Sequence, residues 1–357
     1  MLENLKRQEA VSPTIDRALT LEMLLQLQTL YFGDDDAVLK YGDPSYWEDL
    51  SGNALTCRRN VDGDPTKDDE ENNKAAMHGD MLQQISSRGY HVLPPPPGRI
   101  NKSNTQIFSN TLDALALAGW PPQFLLMYDE TWELLQDTVR AMFGQACDNY
   151  YIESDVNIWS LKRNNPPGTY YIGGNFIHPH RDMMYDACHN DDEEPTSLSV
   201  WIPLNPSGAT RHNGCMRIIP IDEDDFFYSP LHPNHSKNSK YTDDDAEKLL
   251  CEQFGCGVWD PACVHWGGSF DAEKSEEEPR SSLAFTIRLG EKSADYGTSC
   301  IASSKDQTGP GACLVKDCHK GGPKRRLQVV AKSLLAYSHH WPGFPFEGFR
   351  KNMGLKE

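Results

Sequence analysis

The chain has 357 residues and a formal net charge of -18, and 38% of its residues are hydrophobic. Nucleic acids and anionic membranes are excluded as general electrostatic partners, because so acidic a surface repels them. No apolar run of about 18 residues is present and residues 1–13 lack the apolar core of a signal peptide, so we expect no membrane span and a cytoplasmic location. The 24 prolines and 27 glycines favour a β-rich body with long loops over a helical bundle.

The first 143 residues are patterned mainly for helices. Ser12 and Pro13 provide a cap and a first turn, and the apolar residues that follow, as far as Leu30, indicate one helix. Residues 32–73 are polar, rich in Asp, Gly and Pro, and lack periodicity, which predicts a long loop. The other elements predicted in this part are helices over 74–88, 105–118 and 129–143 and a short strand over 90–93.

From Val156 onward the pattern changes to the period of two that is typical of β-strands. Within 198–202, apolar residues alternate with Ser199 and Trp201, which indicates a strand with two differently packed faces. Turn residues over 205–214 lead into a returning strand at 216–218 that we expect to pair with it. The later predicted elements are an acidic insertion over 222–245, a short helix over 242–251, a strand pair over 258–266, a strand from 281, and an amphipathic helix over 325–337.

A His-x-Asp pair is the first sign of chemistry. His180 and Asp182 lie two residues apart in a segment that is patterned as extended, so both side chains project from one face. An imidazole and a carboxylate supply two corners of the 2-His-1-carboxylate triad, which leaves open positions on iron(II). The best third ligand is His265, in an apolar-flanked strand. His178 remains an alternative on the same face, and we favour His180 because only it forms the His-x-Asp pair.

A possible carboxylate-binding pair follows the distal histidine. Arg280 opens a strand-like run, and Ser282 lies two residues further on the same strand face. A guanidinium binds a carboxylate through two parallel hydrogen bonds, and a serine hydroxyl can donate another. The acidic segment 271–279 lengthens the distance in sequence from His265, so Arg288 stays open as the alternative arginine.

These segments together resemble the phytanoyl-CoA dioxygenase-like family of non-haem iron(II)/2-oxoglutarate oxygenases, over roughly residues 156–290. The resemblance rests on four features in a fixed order: His180-Arg181-Asp182, the strand pair SVWIPLNPSGATRHNGCMRIIP at 199–220, the distal His265, and the Arg280-x-Ser282 pair. It implies that His180, Asp182 and His265 bind iron(II), and that Arg280 with Ser282 holds the distal carboxylate of 2-oxoglutarate. For the near end of 2-oxoglutarate the residues leave Lys162, Arg163, Tyr170 and Asn175 open.

The predicted fold is mainly β with helical support, an α+β chain around a double-stranded β-helix, or jelly roll. We expect residues 1–100 to supply N-terminal helices, a polar loop and a first strand that pack on the core. Residues 101–300 would form the oxygenase core with its supporting helices and acidic insertions, and 301–357 a C-terminal helix and aromatic tail. We interpret all three parts as one domain.

The resemblance implies a dioxygenase that oxidises a C–H bond of a small organic molecule while 2-oxoglutarate and O2 become succinate and CO2. Hydroxylation is the default outcome, and desaturation or oxidative cyclisation would need the same residues. Related halogenases have a small residue where this chain has Asp182, so halogenation is not expected. Met183 and Tyr185, which follow the motif, and Trp201 are the candidate substrate-pocket residues.

Two other classes of function are compatible with such a fold. One is a jelly-roll protein that binds a metal or ligand without oxygenase activity, and the other is a cupin-like metalloenzyme that does not use 2-oxoglutarate. The first has no need for an open iron site, and the second would not depend on Arg280. The expected partner is a small-molecule substrate, and neither a nucleic acid nor a membrane is expected; the residues leave the oligomeric state open.

Overall fold

The structure is a computed structural model that describes residues 43–57, 74–96, 106–118, 120–144, 147, 150–153, 156–161, 177–232, 235, 238–271, 273–289, 313–314, 326, 329–330 and 333. The helix predicted between Ser12 and Leu30 lies outside these residues, as do the four candidates for the near end of 2-oxoglutarate. Within the described part of the chain, no helix is both long and apolar enough to cross a membrane. Seven of the cysteines described there are buried free thiols: Cys57, Cys147, Cys188, Cys215, Cys251, Cys256 and Cys263. The division into three parts remains a prediction.

The described residues contain ten strands. In chain order they are β1 (Tyr90–Leu93), β2 (Tyr151–Ile152), β3 (Asn157–Ser160), β4 (Ser197–Pro203), β5 (Met216–Ile218), β6 (Glu247–Leu249), β7 (Cys256–Trp259), β8 (His265–Gly267), β9 (Ser281–Arg288) and β10 (Cys313–Leu314). The α-helices whose bounds are described are α1 (Pro44–Leu50), α2 (Lys74–Arg88), α3 (Ile107–Leu117), α4 (Asp129–Phe143) and α5 (Tyr185–Cys188). Short 3-10 turns lie at Pro122–Met127, Ile221–Glu223 and Asn238–Lys240.

The strands form two antiparallel sheets. The larger has the order β1-β7-β4-β9-β2-β10, with β3 also on β9, and the smaller has the order β6-β5-β8. The pairing of β4 with β9 runs from Ser197 opposite Arg288 to Pro203 opposite Ser282. The sheets face each other, since Trp201 and Trp259 of the larger share a core with Ile218 and Leu249 of the smaller. The predicted mainly β fold with a jelly-roll core is confirmed.

Helices cover the other face of the larger sheet. Leu198, Val200 and Ile202 point outward from β4 and share one apolar core with residues of α3, α4 and the turn Pro122–Met127. Alternation therefore turns Ser199 and Trp201 toward the smaller sheet, because successive side chains of a strand point to opposite faces. The supporting role predicted for these helices is confirmed.

Residues from the C-terminal part complete this outer layer. The residues described within the predicted helix 325–337 are helical. Arg326 is buried, donates to the Met127 carbonyl and pairs with Asp129 at the start of α4. The Ser333 hydroxyl donates to the carbonyl of Val156, next to the large sheet. This segment therefore ties the helical layer to the sheet.

Helix α1 corrects the prediction of a continuous loop over 32–73. Asp43 accepts a hydrogen bond at 2.9 Å from the backbone N–H of Ser45, and Pro44 begins the helix. Trp47 is fully buried and stacks on Phe124, with ring centroids 5.2 Å apart. The helix has only 7 residues, too few to produce a visible apolar period, and its one aromatic anchor depends on a distant partner.

Three predictions about the second half of the chain were wrong. The strand pair expected over 258–266 is two strands of different sheets, since β7 pairs with β1 and β4 whereas β8 pairs with β5. The helix expected over 242–251 is instead a turn at Thr242 followed by β6, because pairing with β5 overrides the local preference. The returning strand, β5, does not pair with β4 but with β6 and β8 in the smaller sheet. In a jelly roll, strands that follow each other in sequence cross between the sheets, so neighbours in sequence need not pair.

Candidate metal and co-substrate site

Backbone hydrogen bonds join the His-x-Asp segment to the strand that bears the distal histidine. The N–H of His180 donates to the carbonyl of His265 at 3.0 Å, and the N–H of His265 donates back at 2.8 Å. The N–H groups of Asp182 and Met183 both donate to the carbonyl of Pro261, at 3.0 and 3.1 Å. These bonds bring together residues that are 78 to 85 positions apart in sequence.

The three predicted ligand side chains converge. The Asp182 Oδ1 atom lies 3.4 Å from Nε2 of His265 and 3.7 Å from Nε2 of His180. One donor atom from each of the three residues lies within 4.8 Å of the other two. His178 is not a member of this cluster, and its carbonyl instead contacts the ring of His180.

Both imidazole rings are oriented by backbone carbonyls. Nδ1 of His180 lies 2.9 Å from the carbonyl oxygen of His178, and Nδ1 of His265 lies 3.1 Å from that of Cys263. A ring that donates from Nδ1 presents the Nε2 lone pair, which is the arrangement that metal-binding histidines commonly adopt. In both residues that Nε2 faces Asp182.

The carboxylate between the two rings is held in its charged form. Burial raises the pKa of Asp182, but the charge and hydrogen bond of His265, the charge of His180 and the hydrogen bond from Ser199 outweigh it, so the pKa lies well below its usual range. Burial lowers the pKa of His265, but the charge and hydrogen bond of Asp182, together with the hydrogen bond to the Cys263 carbonyl, outweigh burial, so the pKa lies above its ordinary value. The Ser199 hydroxyl donates to Asp182 Oδ2 at 2.6 Å. Two imidazoles and one carboxylate together form a donor set that suits a divalent first-row metal.

The predicted carboxylate-binding pair lies on the same inner face of the large sheet. Arg280 is fully buried, its Nε donates to the carbonyl of Gly214, and its Nη1 donates to the hydroxyl of Ser282. Its guanidinium lies over the ring of Trp201, 5.2 Å from the centroid. Burial lowers the pKa of Arg280 to about 10, so the group remains charged at neutral pH.

Arg288, the alternative arginine, has a different environment. It stands at the opposite end of β9 from Arg280 and pairs with the carboxylate of Glu153. Its backbone neighbour across the sheet is Ser197, at the start of β4. The two arginines are therefore separated by the length of a strand, and only Arg280 contacts Trp201 and Ser282.

A buried donor supports the fit of a dicarboxylate beside Arg280. Among the described residues, the indole N–H of Trp201 has no hydrogen-bond partner, although the side chain is only 1% exposed. Trp201 stands on β4 two residues from Ser199, which is about 7 Å along a strand. The inner face of β4 thus carries both Ser199, which binds Asp182, and Trp201, which packs against Arg280. A buried N–H without an acceptor is costly, so a bound acceptor here would be stabilising.

The substrate-pocket candidates lie in two environments. Met183 is partly buried and receives a contact from the Ser197 hydroxyl, whose oxygen lies 3.6 Å from its sulfur. Tyr185 begins α5 and stacks on His189, with ring centroids 3.9 Å apart, and its other edge meets Tyr228 of the insertion. Trp201 instead packs beside Arg280, on the side of the predicted co-substrate.

Sequence reasoning missed several residues that hold this site. Arg181, between the two motif residues, is buried and forms an ion pair with Asp224 of the insertion, with Nη2 and Oδ2 2.7 Å apart. Ser199 binds Asp182, and His189 pairs with Asp260. The inward phase of β4 could have identified Ser199, but no local pattern identifies the two ion pairs.

A family model described as Phytanoyl-CoA dioxygenase (PhyH) matches residues 121–275, a range that contains His180, Asp182 and His265 and ends before Arg280. No curated protein matches.

Solved structures give distant likenesses. The non-heme alpha ketoglutarate dependent epimerase SnoN from nogalamycin biosynthesis has a TM-score of 0.38 at 15% identity, covering 60% of this chain and 81% of its own. The non-heme monooxygenase ThoJ, as a nickel complex, has 0.37 at 15% identity, with 73% and 98% covered. EctD from S. alaskensis has 0.36 at 14%, with 63% and 82% covered. Such TM-scores are too low to assign a function.

The family model and the donor set lead to the same class of protein. The matched range contains the three side chains that converge, and these residues suit iron. The match over residues 121–275 confirms the resemblance of this part of the chain to the phytanoyl-CoA dioxygenase family, and the chain is a non-haem iron(II)/2-oxoglutarate-dependent oxygenase, with iron, 2-oxoglutarate and O2 as its cofactors.

Proposed function

We propose that this enzyme oxidises a C–H bond of a small organic molecule, with hydroxylation as the default outcome. The observation that carries the proposal is the convergence of His180, Asp182 and His265 on the inner face that also holds a buried arginine. With iron bound, 2-oxoglutarate and O2 would supply the oxidising power and leave as succinate and CO2. Family members act on small molecules, and the substrate of this chain belongs to that broad class.

We assign His180, Asp182 and His265 as the iron ligands. The carbonyls of His178 and Cys263 hold both rings with Nε2 toward the shared carboxylate. Asp182 is charged at neutral pH and would offset part of the charge of a divalent cation. Because Asp182 would occupy a coordination position, chloride has no place there, and we propose oxidation and not halogenation.

We assign Arg280 and Ser282 to the distal carboxylate of 2-oxoglutarate. The guanidinium is buried and charged, so an anion that reaches it is attracted strongly in this weakly polar environment. The Trp201 N–H, buried beside Arg280, would donate to the same molecule. Together these groups would hold 2-oxoglutarate in one orientation and exclude water around it.

The test is an anaerobic titration of the protein with iron(II) and 2-oxoglutarate, followed by the weak visible charge-transfer band of the chelated complex. We expect the band in the wild type and its loss in His180→Ala and His265→Ala. His212→Ala is the matched control, because this histidine lies in the turn segment and pairs with Asp271 away from the cluster. A folded wild type without the band would overturn the proposal.

A second measurement separates the proposal from a metalloenzyme that does not use 2-oxoglutarate. Iron(II) added with 2-oxoglutarate and O2 should yield succinate slowly even before the substrate is known. If the protein binds iron but forms no succinate, and the spectrum of the bound iron does not change when 2-oxoglutarate is added, the cupin-like alternative is correct. The band and the succinate assay together decide between the two.

A further inference from the structure

A buried ion pair lies near the ligand segment but outside the donor cluster. Nε2 of His189 is 2.8 Å from Oδ2 of Asp260, and the two side chains are 5% and 4% exposed. The other ring nitrogen, Nδ1, lies 3.0 Å from the carbonyl oxygen of Tyr185, whose ring stacks on the imidazole. A protonated imidazole of His189 therefore donates from both nitrogens. The segment that follows the His-x-Asp motif is thus held in place at His189.

Asp260 organises a tight turn at the other side of the pair. Its Oδ1 accepts from the N–H of Ala262 at 2.9 Å, and its carbonyl accepts from the N–H of Cys263 at 2.8 Å. Its own N–H donates to the carbonyl of Gly89 at 2.9 Å. The carboxylate thus caps the turn over residues 260–263, two residues before His265.

That turn is the element that holds Asp182. The carbonyl of Pro261, inside the turn, accepts from the N–H groups of Asp182 and Met183. From Met183 the chain continues through α5 to His189, which returns to Asp260. The ion pair therefore joins the segment that follows one proposed ligand, Asp182, to the turn that precedes another, His265.

We infer that His189 and Asp260 are positioning residues for the iron site. The pair fixes the turn over 260–263 against the His-x-Asp segment and so sets the separation between Asp182 and His265. This inference rests on the proposed function, because it assigns a role to residues around the proposed ligands. Neither member of the pair contacts the donor atoms, so the effect passes through the backbone of the turn.

Cys188 raises the question of a second metal site, since its sulfur, His189 and Asp260 also lie close together. The contacts favour an ion pair. The 2.8 Å separation of Nε2 and Oδ2 is that of a hydrogen bond, and both nitrogens of His189 face oxygen atoms. The Cys188 thiol lies 3.8 Å from Asp260 Oδ1, and burial raises its pKa to a value far above neutral. The thiol therefore stays protonated beside the charged pair.

The experiment compares iron affinity and thermal stability in three variants. His189→Gln and Asp260→Asn remove the charge on one side of the pair with little change of size. Asp129→Asn is the matched control, because it breaks an equally buried ion pair, with Arg326, in the outer helical layer. All three should lower Tm, since a broken buried pair leaves an uncompensated charge.

Only the first two variants should weaken iron(II) binding, by about tenfold, the lower end of what outer contacts contribute to a metal site. The double variant His189→Gln/Asp260→Asn should bind iron(II) no more weakly than the single variant with the lower affinity, because the two residues act as one unit. If Asp260→Asn fails to fold, His189→Gln alone decides. Unchanged iron affinity in folded variants would overturn the inference, as would a second bound metal that Cys188→Ser removes. A wild type that binds no iron would instead overturn the proposed function.

Discussion

The two ends of the proposed site are built from different kinds of structure. Trp201 and Ser282 stand on β4 and β9, two central strands that pair over the seven residues of β4, and Arg280 directly precedes β9. His180 and Asp182 stand on an irregular segment joined to β8 through a single bridge and the carbonyl of Pro261. The co-substrate end is therefore held by a continuous ladder of hydrogen bonds. The metal end depends on a few backbone bonds and buried ion pairs.

This difference predicts which parts of the site should be most sensitive to substitution. A regular strand fixes several side chains at once, so losing one contact there changes little beyond that contact. An irregular segment is fixed by individual contacts, so each one affects the position of a ligand. Changes at the metal end should therefore reduce metal binding and turnover together, whereas changes at the β9 end should alter the need for 2-oxoglutarate.

Loss of the shared carboxylate would break the metal end most severely. In Asp182→Ala both imidazoles lose the anion between them, and succinate formation should fall by at least about a hundredfold, more than outer contacts contribute. Asp192→Ala, in an exposed part of the same loop, is the control and should retain full activity. A variant at Asp182 with wild-type turnover would refute the ligand assignment.

Arg280→Lys tests the co-substrate end. The lysine keeps the positive charge but loses the planar fork, and a charged hydrogen bond is worth about 1.5–3 kcal/mol. The 2-oxoglutarate concentration needed for half-maximal succinate formation should rise by roughly tenfold or more, with iron affinity unchanged. Arg288→Lys should leave that concentration as in the wild type. The reverse result would move the assignment to Arg288.

Ser199→Ala sharpens the comparison, because Ser199 stands on the regular strand and binds the metal end. Its hydroxyl donates to Asp182 at 2.6 Å, and removing it should weaken iron(II) binding by about tenfold without changing the 2-oxoglutarate requirement at saturating iron. Ser197→Ala, on the same face of β4, is the control, since that hydroxyl contacts the sulfur of Met183. Equal effects of the two changes would mean that the bond to Asp182 contributes nothing specific.

The smallest expected effect is a dependence of stability on pH. Burial lowers the pKa of His189, but the hydrogen bond and charge of Asp260 outweigh burial, so the folded pKa lies above its ordinary value. The pair therefore contributes fully below the unfolded pKa of about 6.5, and the contribution is lost as pH rises through the folded pKa. Among the described residues, Cys188, Tyr185 and Glu193 are further ionisable groups that contact the ring or act on its charge.

Urea unfolding of the wild type and His189→Gln at several pH values measures that contribution. The difference in the free energy of unfolding should be largest in mildly acidic solution and should narrow as the pH is raised. A difference that stays constant over the whole range would mean that His189 does not change its protonation state.

Features that depend on local order could be predicted from the sequence. The two-residue spacing of His180 and Asp182 follows from the period of a strand, and the alternation in β4 separated Ser199 and Trp201 from their apolar neighbours. The order of motifs, compared with a known family, led to the jelly roll and to His265. These properties belong to short segments and to their order, so no distant contact is needed to recognise them.

Which distant groups meet depends on contacts that form only when the chain is folded. The pairs Arg181 with Asp224 and His189 with Asp260 join residues that are dozens of positions apart, and either member alone looks like an ordinary surface charge. The strand β6 likewise depends on a distant contact, because its residues form a strand only through pairing with β5. Burial and pairing are properties of the folded chain as a whole, and they override local preference wherever a distant partner satisfies the backbone or the charge.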